Sequence, residues 1–204
     1  MISVDQVETL DKARYGKASH VVGRAFFDYP LMTYAMPHVH RRRSAVELLY
    51  DAILWDSFRW GEVHVSPQLD AVCAWLPPEH AVPTFWRQAR SGMLKLPLRF
   101  GLRGFRRLTA YDDMARKLHH DHAPMPHYYL SLIGVLPEQQ GQGLGSTLMQ
   151  PMLARADDQK LHCWLDTHLE KNVWLYERHG FEVARLAEVV GHPVPVWGML
   201  RKPR

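Results

Sequence analysis

Three glycines recur at every second position in the middle of the chain, at Gly141, Gly143 and Gly145. An apolar, β-leaning run over 128–135 precedes them, and residues 144–156 carry apolar side chains at helical spacing. Glycine lets a ligand come close to the backbone because no Cβ stands in the way. Backbone N–H groups at a helix N-terminus converge on anions, and the helix dipole adds to this attraction. The stretch therefore predicts a strand, a loop and a helix that together bind a phosphate or diphosphate group.

Two known phosphate-binding loops do not fit this pattern. A P-loop needs a lysine after its last glycine, whereas Gly145 is followed by Ser146. The dinucleotide fingerprint G-x-G-x-x-G is absent because Leu144 alone separates the last two glycines. A glycine-rich turn that binds no ligand is the alternative interpretation.

The composition is that of one folded domain. The chain has 204 residues, of which 47% are hydrophobic and 23% are charged. Its net charge of +4 suits an anionic ligand but does not by itself indicate nucleic acid. Cys73 and Cys163 each lie in an apolar run, which predicts buried free thiols in a reducing compartment. No leader sequence and no bilayer-spanning run is visible, so we expect a cytoplasmic protein without a membrane partner.

Other segments place the glycine loop in a mixed α/β sheet. Helices are expected over 11–27, 41–59, 108–120 and 171–179, and strands over 6–10, 60–65, 71–76, 161–165, 181–189 and 194–200. Strands joined by short turns should be antiparallel, and the two strands that flank the central helix should be parallel. The fold class is therefore a mixed, mostly antiparallel twisted sheet flanked by helices, with a helical insertion before the central strand.

Two groups of side chains in or next to the insertion over 79–126 could do other chemistry. Arginines alternate with glycine and aromatic residues over 99–107, which could indicate RNA contact, although no RNA-binding motif is present. Four histidines crowd together at His119, His120, His122 and His127, but they lack a cysteine partner or the spacing of a known zinc helix. We therefore expect no metal and no nucleic acid, and we interpret the insertion as the acceptor side of a substrate pocket.

Two motifs together resemble a known superfamily. Residues 135–146 fit Val-x-Pro followed by Gln-x-x-Gly-x-Gly, and residues 172–181 read Asn, a short helix, Tyr-Glu-x-x-Gly-Phe. Both patterns, in this order, resemble the acetyl-CoA site of the GCN5-related N-acetyltransferases (GNAT). The resemblance implies a single N-acetyltransferase domain over 1–204, with its acetyl-CoA-binding core at 128–181. Acetyl-CoA is the implied cosubstrate, and an amine is the implied acceptor.

Further stretches resemble one branch of that superfamily, the puromycin N-acetyltransferases. They are residues 25–30, 74–79, 141–146, 165–167 and 201–203. This resemblance implies a small primary amine such as a puromycin-like aminonucleoside. It weakens over 79–126, the segment expected to line the acceptor side.

The resemblance also assigns roles to individual residues. Tyr176 matches the family's general acid beside the sulfur, and a phenol suits that role at neutral pH. Backbone groups of Gly134 and Val135 are expected at the thioester and the pantetheine arm, where Asn172 is also placed. Core packing of Tyr176 and helix capping by Asn172 are the structural alternatives. The diphosphate is assigned to Gln140, Gly141, Gln142, Gly143, Leu144, Gly145 and Ser146.

Carboxylates near the expected cleft are candidates for the amine. Asp166 stands at the C-terminal end of a strand, where it could act as general base or amine anchor, or simply cap the following turn. Asp28 and Tyr29 could bind the ammonium group of the acceptor, or simply close the first helix. We expect His179 to be a surface residue.

Three functions are compatible with these residues. The first is acetyl transfer from acetyl-CoA to a primary amine of a small molecule. The second is a CoA-binding regulatory module without transfer activity. The third is an acetyltransferase for protein N-termini or aminoacyl-tRNA. The sequence leaves a homodimer open.

Overall fold

A seven-stranded sheet forms the centre of the protein in a computed structural model that describes residues 2–204. The strands are β1 (Glu8–Thr9), β2 (Glu62–Val65), β3 (Ala71–Leu76), β4 (His127–Val135), β5 (His162–Thr167), β6 (Phe181–Glu188) and β7 (Pro195–Arg201). Their order across the sheet is β1-β2-β3-β4-β5-β7-β6. Only β4 and β5 pair in parallel, and every other neighbouring pair is antiparallel. The predicted mixed, mostly antiparallel sheet is confirmed.

Helices cover both faces of this sheet. They are α1 (Tyr15–Ala25), α2 (Pro30–Ala35), α3 (Val39–Trp60), α4 (Phe85–Ser91), α5 (Leu96–His122), α6 (Leu144–Asp158) and α7 (Glu170–Glu177). Apolar residues of α1, α2, α3 and α5 pack on one face, and those of α6 and α7 pack on the other. Alternation along β3 shows how one strand serves both layers: Val72 and Ala74 face the first core, and Cys73 and Trp75 face the second. Cys73 and Cys163 are buried free thiols, as expected.

The insertion differs most from its sequence-based description. The helical pattern was expected to begin at residue 108, but α5 already begins at Leu96 and contains one non-helical residue, Gly101, with φ 66°. Buried residues recur every four positions along it, at Leu96, Phe100, Gly104 and Leu108. Arg99, Arg103 and Arg106 lie between them, are exposed and obscured this period in the sequence. The short helix α2 was not predicted.

Candidate active site

The sheet opens between its two central parallel strands. β4 and β5 pair only over three residues, from His127 to Tyr129 on β4 and from His162 to Trp164 on β5. Beyond Tyr129, β4 continues to Val135 with its other edge paired to β3, while β5 pairs with β7. The edge of β4 from residue 130 onwards therefore faces a gap, where a ligand could pair with the strand.

The glycine loop lies directly after this free edge. Gly141 and Gly143 have φ of 80° and 81°, a left-handed conformation that favours glycine, and Gly143 is the N-cap of α6. The first backbone hydrogen bond of α6 runs from the Thr147 N–H to the Gly143 carbonyl, 3.0 Å away. The N–H groups of the first helical turn are consequently free to bind an anion. A Cβ at Gly145 would lie 3.2 Å from Cδ1 of Ile133, so glycine also allows α6 to approach β4 closely.

Side chains of the loop hold its shape. The Gln140 amide donates to the Val135 carbonyl at 3.2 Å, and the Gln142 amide donates to Oε1 of Gln139 at 2.8 Å. Ser146 Oγ lies 3.0 Å from Nε2 of His179, which is half-buried rather than a surface residue. The loop glutamines therefore brace the backbone that would bind the ligand.

Gly134 combines a packing role with its position on the free strand. A Cβ there would lie 3.1 Å from Cβ of Ala25 and 3.4 Å from a ring carbon of Phe26. Glycine at this position thus lets α1 pack directly on β4. The position of Gly134 and Val135 beside the gap fits the expected backbone role, which stays a prediction.

Asn172 lies on the far side of the gap, inside α7. Its side-chain amide donates to Oγ1 of Thr167 at 3.3 Å. The N-cap of α7 is Leu169, so the alternative that Asn172 caps this helix is wrong. Asn172 instead connects α7 to the end of β5.

Tyr176 follows one helical turn after Asn172 on α7. Its side chain is buried, and its ring lies edge-on to that of Phe181, with the centroids 5.9 Å apart. Burial raises the pKa of the Tyr176 phenol well above its usual range. The hydroxyl therefore keeps its proton across the neutral range, which suits a proton donor and excludes a phenolate base.

A polar cluster stands where β4 and β5 separate. The Tyr129 hydroxyl donates to Oδ1 of Asp166 at 2.9 Å, which leaves Oδ2 without a hydrogen-bond donor among residues 2–204. Burial raises the pKa of Asp166, although His168 and the Tyr129 bond oppose this effect. A carboxylate with a raised pKa is a stronger base at neutral pH than an exposed one.

His168 adds a second basic group beside Asp166. Its Nδ1 lies 3.1 Å from the Pro195 carbonyl, and because a carbonyl only accepts, Nδ1 carries the hydrogen. Burial lowers the pKa of His168, which favours the neutral ring with Nε2 free to accept a proton. No motif pointed to His168, since its position depends on where β5 ends.

The two residues expected to bind the ammonium group are placed differently. The Tyr29 hydroxyl accepts a hydrogen bond from the His168 backbone N–H at 2.7 Å and lies 3.0 Å from Oγ1 of Thr167. Tyr29 thus holds the end of β5. Asp28 is exposed, and its carboxylate lies 3.5 Å from the guanidinium of Arg42, away from the cluster.

One cavity of about 430 Å³ connects these groups. Its polar end is lined by Tyr29, Tyr129, Asp166, Thr167, His168, Asn172 and Tyr176. Its walls are mainly apolar and come from α3, α4 and α5, and Asp112 and Arg116 of α5 add a charged pair with N–O distance 2.8 Å. Residues of the insertion therefore line part of the cavity, and its role as the acceptor side stays a prediction.

The four histidines lie at the end of α5 and the start of β4. His119, His120 and His122 end α5, while His127 begins β4. Nε2 of His119 lies 2.6 Å from Nε2 of His127, and burial lowers the pKa of His119 to about 4. Within residues 2–204 no group of three or more His, Cys, Asp or Glu side chains could hold a metal ion.

Comparisons with known proteins identify a related domain. Residues 103–183 match the family model described as acetyltransferase (GNAT) domain. An uncharacterised N-acetyltransferase of Schizosaccharomyces pombe is 24% identical, over 99% of this chain and 84% of the relative.

Solved structures show the same fold. A structure titled histone acetyltransferase HPA2 and related acetyltransferase, from Corynebacterium glutamicum, has a TM-score of 0.70 at 19% identity and covers 98% of this chain and 96% of its own. A polyamine N-acetyltransferase of Drosophila melanogaster has a TM-score of 0.61 at 14% identity and covers 96% and 98%. No helix within residues 2–204 is long and apolar enough to cross a bilayer. Residues 103–183 are therefore similar to GNAT acetyltransferase domains, and this match together with the curated relative supports an acyltransferase enzyme.

Proposed function

We propose that the protein transfers the acetyl group of acetyl-CoA directly to a primary amine of a small molecule with an apolar body. The single observation that carries this proposal is the cavity of about 430 Å³, which joins the free edge of β4 to an apolar chamber beneath α4 and α5. A carboxylate with one unoccupied oxygen, Asp166, lies between the two ends. This arrangement suits an acceptor with one cationic nitrogen on an apolar frame.

The residues present fit acetyl-CoA. Open N–H groups of the loop from Gly141 to Ser146 suit its diphosphate, and the free edge of β4 suits its amide-containing arm. A side chain at Gly145 would crowd Ile133, so this part of the loop is kept free of side chains. When bound, acetyl-CoA supplies an activated acetyl thioester.

Residues at the polar end of the cavity accept and donate the protons of the reaction. The acceptor amine must lose its proton before its lone pair can attack, and Asp166 with His168 takes this proton. A bond then forms between nitrogen and the acetyl carbon while the carbon–sulfur bond breaks, and the nitrogen releases its second proton as the amide forms, which restores the proton that Tyr176 gives up. The buried, protonated Tyr176 hydroxyl donates a proton to the departing sulfur.

Tyr29 and Asn172 are positioning residues. Both bond to Thr167, and Tyr29 also accepts from the backbone of His168, so they fix the end of β5 that carries Asp166 and His168. Asp28 stays outside this proposal because its side chain is exposed and lies beside Arg42.

An acceptor screen tests the proposed function. Purified protein, acetyl-CoA and a panel of amines are mixed, and free thiol is measured against a blank without amine. The panel contains puromycin, because a puromycin-like acceptor stays a prediction, together with polyamines, aromatic alkylamines, amino acids and short peptides. We expect turnover with amines that carry an apolar group. Tight CoA binding without amine-dependent thiol release would favour a regulatory module, and turnover with peptide N-termini alone would move the acceptor class to proteins.

A further inference from the structure

The outer surface of the insertion concentrates positive charge. Between Glu79 and Asp112 the sequence contains seven cationic side chains and no carboxylate, whereas the whole chain has a net charge of only +4. Two of the seven are engaged: Arg87 pairs with Asp56, and Arg107 donates to the Tyr34 carbonyl. The other five are exposed: Arg90, Lys95, Arg99, Arg103 and Arg106.

Large apolar side chains are exposed among these cations. Of the twelve large apolar residues that are exposed within residues 2–204, six lie between Val82 and Leu102. Trp86 is 72% exposed, and Leu98 is 86% exposed. Exposed apolar residues in one contiguous segment mark an interaction surface more often than scattered ones do.

Both sets of side chains lie on the solvent side of the segment, because other residues of the segment are buried against the core. Arg87 of α4 reaches the interior to Asp56, and α5 buries Leu96 and Phe100. Leu98 and Leu102 lie halfway between the buried positions of α5 and point away from the core. We call the exposed residues between 85 and 106 the basic apolar surface.

We propose that the basic apolar surface docks the protein on an anionic lipid bilayer. Interfacial segments combine Lys and Arg with Trp, Phe and Leu, so that apolar side chains enter the acyl boundary while the cations meet anionic headgroups. This surface has that composition on α4, on the turn Met93–Lys95 and on the start of α5. The expectation of no membrane partner rested on the lack of a spanning segment, and peripheral docking needs none.

Two other partners fit the basic apolar surface less well than a bilayer does. A second copy of the chain, facing this surface with its own, would bring ten like charges together across one interface. Nucleic acid would satisfy the cations, but it leaves the leucines Leu94, Leu98 and Leu102 without a partner, because bases stack on aromatic rings and arginine planes. A bilayer accommodates both the charges and the leucines.

Phe85 and Leu94 belong both to this surface and to the cavity wall. Docking would thus place the cavity next to the lipid interface. The proposal does not depend on the identity of the acceptor or on acetyl transfer.

Vesicle flotation with the full chain tests the proposal. The lipid probes are pure phosphatidylcholine vesicles and vesicles that mix phosphatidylcholine with phosphatidylglycerol. We expect binding to the anionic vesicles, weak or no binding to the neutral ones, and loss of binding at high salt because salt screens exposed charges. The variant Arg99→Glu with Arg103→Glu should weaken binding at least about tenfold, since each cation near an anionic surface contributes about fivefold.

Matched variants separate the apolar contribution from the charge. Trp86→Ser with Leu98→Ser should also weaken vesicle binding, whereas Trp174→Ser on α7 and Arg41→Glu on α3 should leave it unchanged. All variants are first checked for an unchanged thermal midpoint. None of the four altered positions of the basic apolar surface lines the cavity.

Three results would overturn the proposal. The first is no vesicle binding, or equal binding to both lipid compositions. The second is salt-sensitive binding to tRNA in place of vesicles. The third is a stable dimer that becomes monomeric when Trp86 and Leu98 are replaced by serine, without any vesicle binding.

Discussion

The Tyr129 hydroxyl donates a 2.9 Å hydrogen bond to Oδ1 of Asp166. Tyr129 is the last residue of β4 that pairs with β5, and Asp166 lies two residues beyond the last pair on β5. This bond therefore crosses the two strands where they separate. It orients the carboxylate and favours its charged form.

Removing the Tyr129 hydroxyl should shift the pH dependence of the reaction. Burial raises the pKa of Asp166, and the bond from Tyr129 lowers it, so Tyr129→Phe should raise this pKa further. A base must be deprotonated to act, so activity falls as pH drops through the pKa of Asp166. We expect the acidic limb of kcat/KM in Tyr129→Phe to move to higher pH. Tyr128→Phe is the control, because the Tyr128 hydroxyl bonds to Gln159 Oε1 instead. An unchanged acidic limb would remove Asp166 from the role of base.

Replacing Tyr176 should slow the chemical step. Tyr176→Phe keeps the buried ring and deletes the hydroxyl proton. We expect kcat to fall by about 10²-fold or more, as for other general acids, with little change in CoA affinity. Turnover is measured by thiol release, and affinity is measured by calorimetry. Equal turnover in the two proteins would leave Tyr176 with a packing role only.

A side chain at Gly143 should weaken acetyl-CoA binding. Gly143→Val strains a backbone with φ 81° and places a branched side chain where the loop begins α6. We expect KM for acetyl-CoA to rise at least about tenfold, while KM for the amine changes little. Gly191→Val is the matched control, because Gly191 has φ 76° in the β6–β7 turn and carries the same type of strain. If both variants change KM for acetyl-CoA alike, the effect comes from stability and the loop is not the anion site.

Arg87 should be needed for the stability of the cavity wall. Its guanidinium bonds to both carboxylate oxygens of Asp56, with distances of 3.0 and 2.5 Å, and both side chains are nearly buried. Arg87→Met leaves the Asp56 charge unpaired and should cost about 3 kcal/mol of unfolding free energy in urea titrations. The double variant Arg87→Met with Asp56→Leu should recover much of this loss.

An exposed ion pair provides the control for that measurement. Lys117 and Asp121 lie four residues apart on α5 with an N–O distance of 2.7 Å. Lys117→Ala should change the unfolding free energy by only about 0.5 kcal/mol. A loss as small as this in Arg87→Met would show that the Asp56 pair does not hold α4 in place.

The sequence was most informative where local geometry needs one residue type. Gly141 and Gly143 have positive φ, so their pattern identified the loop, and the apolar run over 71–76 coincides with the buried strand β3. Tyr129 and His168 were missed because their roles arise from the divergence of β4 and β5, a relationship between distant segments. Asp28 looked equivalent to Tyr29 in sequence, but the chain turns between them so that only Tyr29 lines the cavity. The early start of α5 was missed because exposed arginines and Gly101 interrupt its apolar period.

The most direct test of the central claim follows the acetyl group itself. Acetyl-CoA labelled in its acetyl carbon is mixed with the protein and the best amine of the panel, and labelled product and free CoA are quantified together by mass spectrometry. We expect N-acetylated amine and free CoA to form in equal amounts, and both to disappear when Asp166→Asn and Tyr176→Phe are combined. Label retained in acetyl-CoA despite tight binding, or free CoA formed without labelled amide, would contradict direct transfer to an amine.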